Sequence, residues 1–105
     1  VITGKVGRTL DEAAGAQAAR QAAIALLTTL KGELGELSKV RRIVRVGGFV
    51  NATEDFTKHP QVINGCSDLL VAVFGDKGRH ARAALGAGSL PLGAAVEIEM
   101  VVEVD

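Results

Sequence analysis

Tyrosine and tryptophan are absent from this sequence, and three phenylalanines are its whole aromatic content. A core must therefore be assembled from Ala, Val, Leu and Ile, the larger of which contribute about 1.5–3 kcal/mol each on full burial. Such a core gains from the support of an oligomer. One cysteine, Cys66, and two histidines exclude an internal disulfide and leave a zinc cage short of ligands, so no metal is expected. Neither sign of charge is in excess: twelve Lys+Arg balance twelve Asp+Glu, which speaks against a polybasic nucleic-acid binder. An apolar fraction of 48% excludes an unfolded chain. No apolar run approaches the ~20 residues that cross a bilayer, and no basic stretch leading into an apolar one opens the chain. The expected location is cytoplasmic, with no membrane partner. The chain opens on Val1 inside an apparent strand and without Met, so loss of upstream residues is expected. Its 105 residues suit one domain, 1–105.

What is present reads as alternating strands and helices. Residues 1–6 are β-rich and end at Gly7, which predicts a strand and a turn. Thr9 with Glu12 has the spacing of a capping box. From about residue 10 to 34 the stripe Ala19, Ala23, Leu26, Leu27, Leu30, Leu34 keeps helical period against Gln17, Gln21, Thr28 and Lys31, and Gly35 closes it. Val40 to Asn51 predicts a second strand alternating on Val40, Val44, Val46 and Val50, with a bulge or close backbone approach at Gly47–Gly48. Pro60 opens a second helix with the stripe Val62, Cys66, Leu69, Leu70, Val73, ended by Gly75. A third strand is expected over His80–Leu85 and a fourth over Ala95–Asp105, where Val96, Ile98, Met100, Val102 and Val104 alternate with Glu97, Glu99 and Glu103.

The order β, α, β, α, β, β predicts an α+β fold with two helices on one face of a mixed sheet of four or more strands. The opposite face needs a cover. Gly47, Phe49, Ala84 and Leu92 would be partly bare in a single copy, which argues for sheet packing in a homo-oligomer.

Thirteen glycines do not make a phosphate loop. Gly86-x-Gly88 leads into no helix, and Gly75-x-x-Gly78 lacks the Lys-Ser/Thr that completes the loop. Lys39, Arg41, Arg42 and Arg45 are the basic cluster. RNA binding is its functional reading, but no aromatic residues interleave to stack on bases, and a solvated strand edge is favoured. Cys66 lies on an apolar stripe and reads as a buried thiol. His59 belongs to a helix start, whereas His80 stands where it could line a site. Arg82 is the more informative residue. A guanidinium among Ala81, Ala83 and Ala84 wants a carboxylate, and a substrate could supply it as well as Glu97 or Glu99. Strict alternation alone would put Glu97 on a solvated face.

His80-Ala81-Arg82-Ala83-Ala84, then Ser89-Leu90-Pro91-Leu92-Gly93, then Val96-Glu97-Ile98-Glu99 resembles the C-terminal signature of the reactive-intermediate deaminase family, RidA, also called YjgF. The usual pattern is Pro-Ala-Arg, Leu-Pro, and Val/Ile-Glu-Ile-Glu. Thr3-Gly4, the Ala-rich first helix, Phe49-Val50 and Asp55-Phe56 follow in the family's order. The Val62–Leu70 helix is similar to that of one subgroup.

The resemblance implies a chorismate-mutase-like fold and a homotrimer with clefts between subunits. It implies that Arg82 holds a substrate carboxylate, that Glu97 aligns the attacking water, and that Gly4, Ala84 and His80 line the ligand site. The implied activity is hydrolytic deamination of 2-imino or 2-enamino acids to 2-keto acids and ammonium, with a small carboxylate-bearing substrate and no cofactor. Alternatives are a non-catalytic carboxylate-binding regulatory module and, third, an endoribonuclease. The family's proline is His80 here, its small polar or Cys position is Ala84, and the segment bearing its site tyrosine has no counterpart.

Overall fold

A computed structural model describes residues 2–105 of the chain. Asp11, in extended backbone, accepts the Ala14 amide at 2.8 Å and caps the first helix, α1 (Glu12–Leu34). The expected Thr9–Glu12 box does not form, because the Thr9 hydroxyl is already engaged, accepting the Lys5 amide at 2.9 Å inside the preceding turn. Glu12 in the first turn and Lys31 in the last complement the helix dipole. Gly35, at φ 86°, turns its amide back to the Lys31 carbonyl. The buried side of α1 is Gly15, Ala18, Ala19, Ala23 and Leu27, which carries the predicted stripe one turn further toward the N-terminus.

The strands β1 (Val40–Asn51), β2 (Ala81–Ala87) and β3 (Val96–Val104) form one mixed sheet in the order β2-β1-β3. β1 runs parallel to β2, with the second helix α2 (His59–Phe74) as the crossover, and antiparallel to β3. The strand expected over residues 1–6, which would have made the sheet four-stranded, does not form among the described residues. Val1 lies outside the described residues, and Thr3 and Val6 make isolated bridges, to Ala94 and to Leu10 and Ala52. Gly4 at φ 132° and Gly7 at φ 95° break the extended backbone, so successive amides pair with different segments: Gly4 N–H with Gly93 O, Val6 N–H with Asn51 O.

β1 departs from simple alternation. Val40, Ile43, Val46 and Val50 are the buried apolar side chains, and register shifts fall between Val40 and Arg42 and between Ile43 and Arg45. These irregularities, rather than one at Gly47–Gly48, let residues three apart face the helices. The two glycines keep regular register and serve close approach instead. A Cβ on Gly48 would stand 2.6 Å from Ile63 Cδ1, and one on Gly47 would stand 2.9 Å from Glu99 Oε1.

Both helices pack on the same sheet face. One core cluster joins Ala19, Ala23 and Leu27 to Val40, Ile43, Val46, Cys66 and Leu70, and a second joins Val6, Val50, Ala52, Val62 and Ile63. In α2 the inward line runs Ile63, Cys66, Leu70, Phe74, so Val73, expected inside, is turned out at 46% exposure. Gly65 touches the Ala16 carbonyl of α1, with no room for a side chain between them.

Gly65→Ala should therefore lower unfolding free energy by about 2–3 kcal/mol, since a methyl would strike rigid backbone. Gly32, in the exposed last turns of α1 with open space around it, is the control: Gly32→Ala should raise stability by about 0.5–1 kcal/mol. Urea unfolding followed by circular dichroism reads both; equal stability of Gly65→Ala and wild type would contradict the packing described.

Candidate active site

Register decides which residues of the Arg82 region can meet. In β2, Arg82 pairs with Val46 and Ala84 with Gly48, so both point to the helix-covered side. Arg82 Nη1 donates to Asn64 Oδ1 at 2.7 Å and to Ser67 Oγ at 3.2 Å, both on α2. Ser67 Oγ also lies 2.9 Å from His80 Nε2, and His80 Nδ1 lies 2.5 Å from the Gly78 carbonyl. Arg82 stays exposed while Ser67, His80 and Ala84 are half-buried. Three of the five predicted site residues, His80, Arg82 and Ala84, thus stand together between the β2 edge and α2.

The other two stand apart from them. Glu97 pairs with Phe49, and the opposite parity of that pair puts its carboxylate on the open sheet face, exposed. Its neighbours on β3 are engaged: Glu99 with Arg45 at 3.6 Å and Glu103 with Arg42 at 3.4 Å. Among the described residues no ion pair or hydrogen bond engages the Glu97 carboxylate. Gly4 lies beyond the far end of β1, its amide donated to Gly93 O, about 16 Å along the sheet at ~3.3 Å per residue from Val46 to Asn51.

Asn64 and Ser67 were not picked out from the sequence. Their spacing of three places them on one side of α2, but polar residues bordering an apolar stripe are ordinary on a surface helix, so no local signal singles them out. Basic residues on β1 show a different outcome. β1 is the central strand, so Lys39–Arg45 is no sheet edge, and Arg41 joins Asp105 at 3.8 Å in the same cross-strand series of pairs as Arg42 and Arg45.

Two open cavities contain neither Arg82 nor Glu97. One of about 500 Å³, lined by Ile2, Ala18, Gln21, Ala22, Ala25 and Val96, carries no titratable group. The other, about 490 Å³, includes Lys5, Arg8, Glu54 and Asp55. There the Lys5 ammonium is taken up by Asn51 Oδ1 at 2.7 Å and Gly88 O at 2.6 Å. Among the described residues no group of three His, Cys, Asp or Glu is arranged to hold a metal ion, and no helix is long and apolar enough to cross a membrane.

The sequence model of a family described as "YjgF/chorismate_mutase-like, putative endoribonuclease" matches residues 1–104. The chain belongs to the YjgF/chorismate-mutase-like family. Its fold is correspondingly similar to solved members. A crystal structure of the protein Atu1372 from Agrobacterium tumefaciens, described as of unknown function, superposes with a TM-score of 0.98 at 46% identity, covering 100% of this chain and 68% of that one. A "putative endoribonuclease" from Shewanella oneidensis gives 0.95 at 31% identity, covering 99% of this chain and 69% of that one. Protein TCP17 of Trypanosoma cruzi is 43% identical over 105 residues, 99% of this chain. The chain spans 66% of that curated relative's length.

Near Arg82 sits Cys66, fully buried. Burial pushes its thiol up to about 11, and the nearby Arg82 charge pulls only partly the other way. The thiol is therefore neutral and inert at physiological pH. Because the native pKa lies above the unfolded value of 9.0, its contribution to stability is complete below about pH 9 and falls as pH rises toward 11. Alkylation by iodoacetamide should be slow in the native protein and fast in urea. With no tyrosine in the chain, thiolate absorbance can follow the same titration. Rapid native alkylation at neutral pH would show Cys66 to be accessible.

Proposed function

We propose that this protein hydrolyses 2-imino or 2-enamino acids to 2-keto acids and ammonium, in a cleft completed by Arg82 of one copy and Glu97 of another, within a homotrimer and without a cofactor. The observation that carries this reading is the company Arg82 keeps. Its hydrogen bonds go to neutral oxygens, Asn64 Oδ1 and Ser67 Oγ, whereas Arg41, Arg42, Arg45 and Arg79 each meet a carboxylate. A guanidinium held by neutral partners keeps donors for a planar anion. Glu97 is its counterpart, the one carboxylate on β3 with no cation among the described residues.

The chemistry asks for orientation and one proton shuttle. An iminium carbon next to a carboxylate is already electrophilic. With the carboxylate on Arg82, water attacks that carbon while Glu97 takes a proton, giving a carbinolamine. Returning that proton to nitrogen makes ammonia the leaving group; the C–N bond breaks as the hydroxyl collapses to the keto group, and the hydroxyl proton passes through Glu97 to ammonia, giving ammonium. Acid–base help of this kind is worth ~10²–10⁴-fold, beyond the gain from holding the reactants together. Because Arg82 and Glu97 occupy opposite sheet faces of one chain, the reaction needs a second copy. Leu85 and Val101, 54% and 55% exposed on the open face, are apolar surface suited to that contact.

The endoribonuclease description of the family has less support from this chain. The Arg41, Arg42 and Arg45 guanidinium groups that would meet phosphates are engaged by Asp105, Glu103 and Glu99.

Sedimentation at micromolar concentration should give a trimer; a monomer would remove the shared cleft. Pyruvate binding measured by calorimetry should weaken at least about tenfold in Arg82→Lys, which offers a point charge in place of a fork. An imino acid generated in situ by an amino-acid oxidase and trapped with semicarbazide reports turnover. Wild type should lower the trapped fraction, and Glu97→Gln should keep pyruvate affinity while losing about 10²-fold in rate. Undiminished trapping with binding intact would make the protein a carboxylate-binding module. Equal affinity of wild type and Arg82→Lys would make Arg82 structural.

A further inference from the structure

We propose that Asn64, Ser67 and His80 are positioning residues for Arg82, and that by occupying Nη1 they reserve the Nε–Nη2 edge of its guanidinium as the seat of a planar carboxylate. This rests on the reading of Arg82 as an anion site. The hydrogen-bond chain has a forced direction. The Gly78 carbonyl only accepts, so its contact at 2.5 Å places a hydrogen on His80 Nδ1. In the neutral ring Nε2 then carries the lone pair, and Ser67 Oγ, 2.9 Å away, donates to it. With its hydrogen so used, the Ser67 oxygen turns lone pairs to Arg82, whose Nη1 donates to it at 3.2 Å and to Asn64 Oδ1 at 2.7 Å. An Nη nitrogen has two hydrogens, and both are spent. The donors left are Nε–H and the pair on Nη2.

A carboxylate meets two parallel donors either end-on, through both Nη atoms, or side-on, through Nε and Nη2. The end-on mode would take a hydrogen from Asn64 or Ser67. The side-on mode takes none, so the substrate carboxylate is held at Nε and Nη2 in one plane. The local structure is built for this relay. Asn64 and Ser67 share one side of α2, and His80 and Arg82 share one side of the chain entering β2. A side chain at Gly78 would strike the Leu70 carbonyl, so glycine is what lets the turn come close enough to α2 to offer its carbonyl to His80.

The full chain labelled with ¹⁵N, without ligand and at mildly alkaline pH, tests the relay by NMR. His80 should show the Nδ1–H tautomer. The Nη1 and Nη2 signals of Arg82 should be resolved, because the held guanidinium rotates slowly. They should average in Ser67→Ala and Asn64→Ala and separate again in Ser67→Thr, which keeps the hydroxyl. In calorimetry with pyruvate, Ser67→Ala and His80→Phe should each weaken binding ~3–10-fold, and the double variant should be no weaker than the poorer single one, since both cut the same chain. An Nε2–H tautomer, or Arg82 signals unchanged by Ser67→Ala, would overturn the relay even if pyruvate binds. Resolved Arg82 signals with no pyruvate binding would instead overturn the carboxylate seat together with the functional reading.

Discussion

Everything about the site depends on how closely α2 lies against its neighbours, and glycine sets that distance. Gly65 meets the Ala16 carbonyl of α1 with no side chain between them, and Ile63 lies over the bare backbone of Gly48 in β1. These two contacts fix both the height of α2 above the sheet and its rotation about its own axis. Cys66 is thereby turned into the core, and Asn64 and Ser67, on either side of it in sequence, are carried to the β2 edge where Arg82 stands. A helix rotated by one residue would bury a polar side chain and leave Arg82 unsupported. The packing contact and the chemistry are therefore one constraint, enforced by residues without side chains.

The charge distribution follows a similar division of labour. On the open face, the guanidinium groups of β1 are matched by carboxylates at the end of the chain: Arg41 by Asp105, Arg42 by Glu103, Arg45 by Glu99. All of these are exposed, and each pair contributes at most about 1 kcal/mol. Together they balance the positive charge of β1 with carboxylates of β3 and the residue after it. Arg82 and Glu97 fall outside this pairing, one on each face. Among the described residues they are the two charges on the sheet strands without an ion pair, which is what the proposed cleft would draw on.

Much of the fold was legible in the sequence because helical period and glycine stops are local signals. Gly35 and Gly75 end the helices where they were expected to. Two of the misreadings share one cause, competition between local partners. Thr9 has cap chemistry, but Lys5 reaches its hydroxyl first, and Asp11 takes over the helix. Residues 2–6 have strand composition, but Gly4 and Gly7 redirect successive amides to different segments. Arg82 was legible from its alanine neighbours and Glu97 through the family resemblance, while alternation alone already put Glu97 on a solvated face. That the two face opposite ways follows from register: Val46, opposite Arg82, and Phe49, opposite Glu97, have opposite parity along β1. Asn64 and Ser67 were illegible for a related reason: their role arises from a contact across 15 to 18 positions of chain.

The Leu90–Gly93 connection bears on the proposed trimer. Leu92 adopts φ 60° and ψ 18°, the left-handed region, and is 92% exposed. For a non-glycine residue that conformation costs about 1–2 kcal/mol, and the single chain recovers none of it through burial. Gly93 next to it, at φ 69°, takes the same left-handed region without that cost. Full burial of a leucine returns about 1.5–3 kcal/mol, enough to offset the cost. In the proposed trimer that burial would come from a second copy. The loop leads directly into the strand that carries Glu97, so a contact that anchors Leu92 would also fix where Glu97 stands relative to the neighbouring subunit.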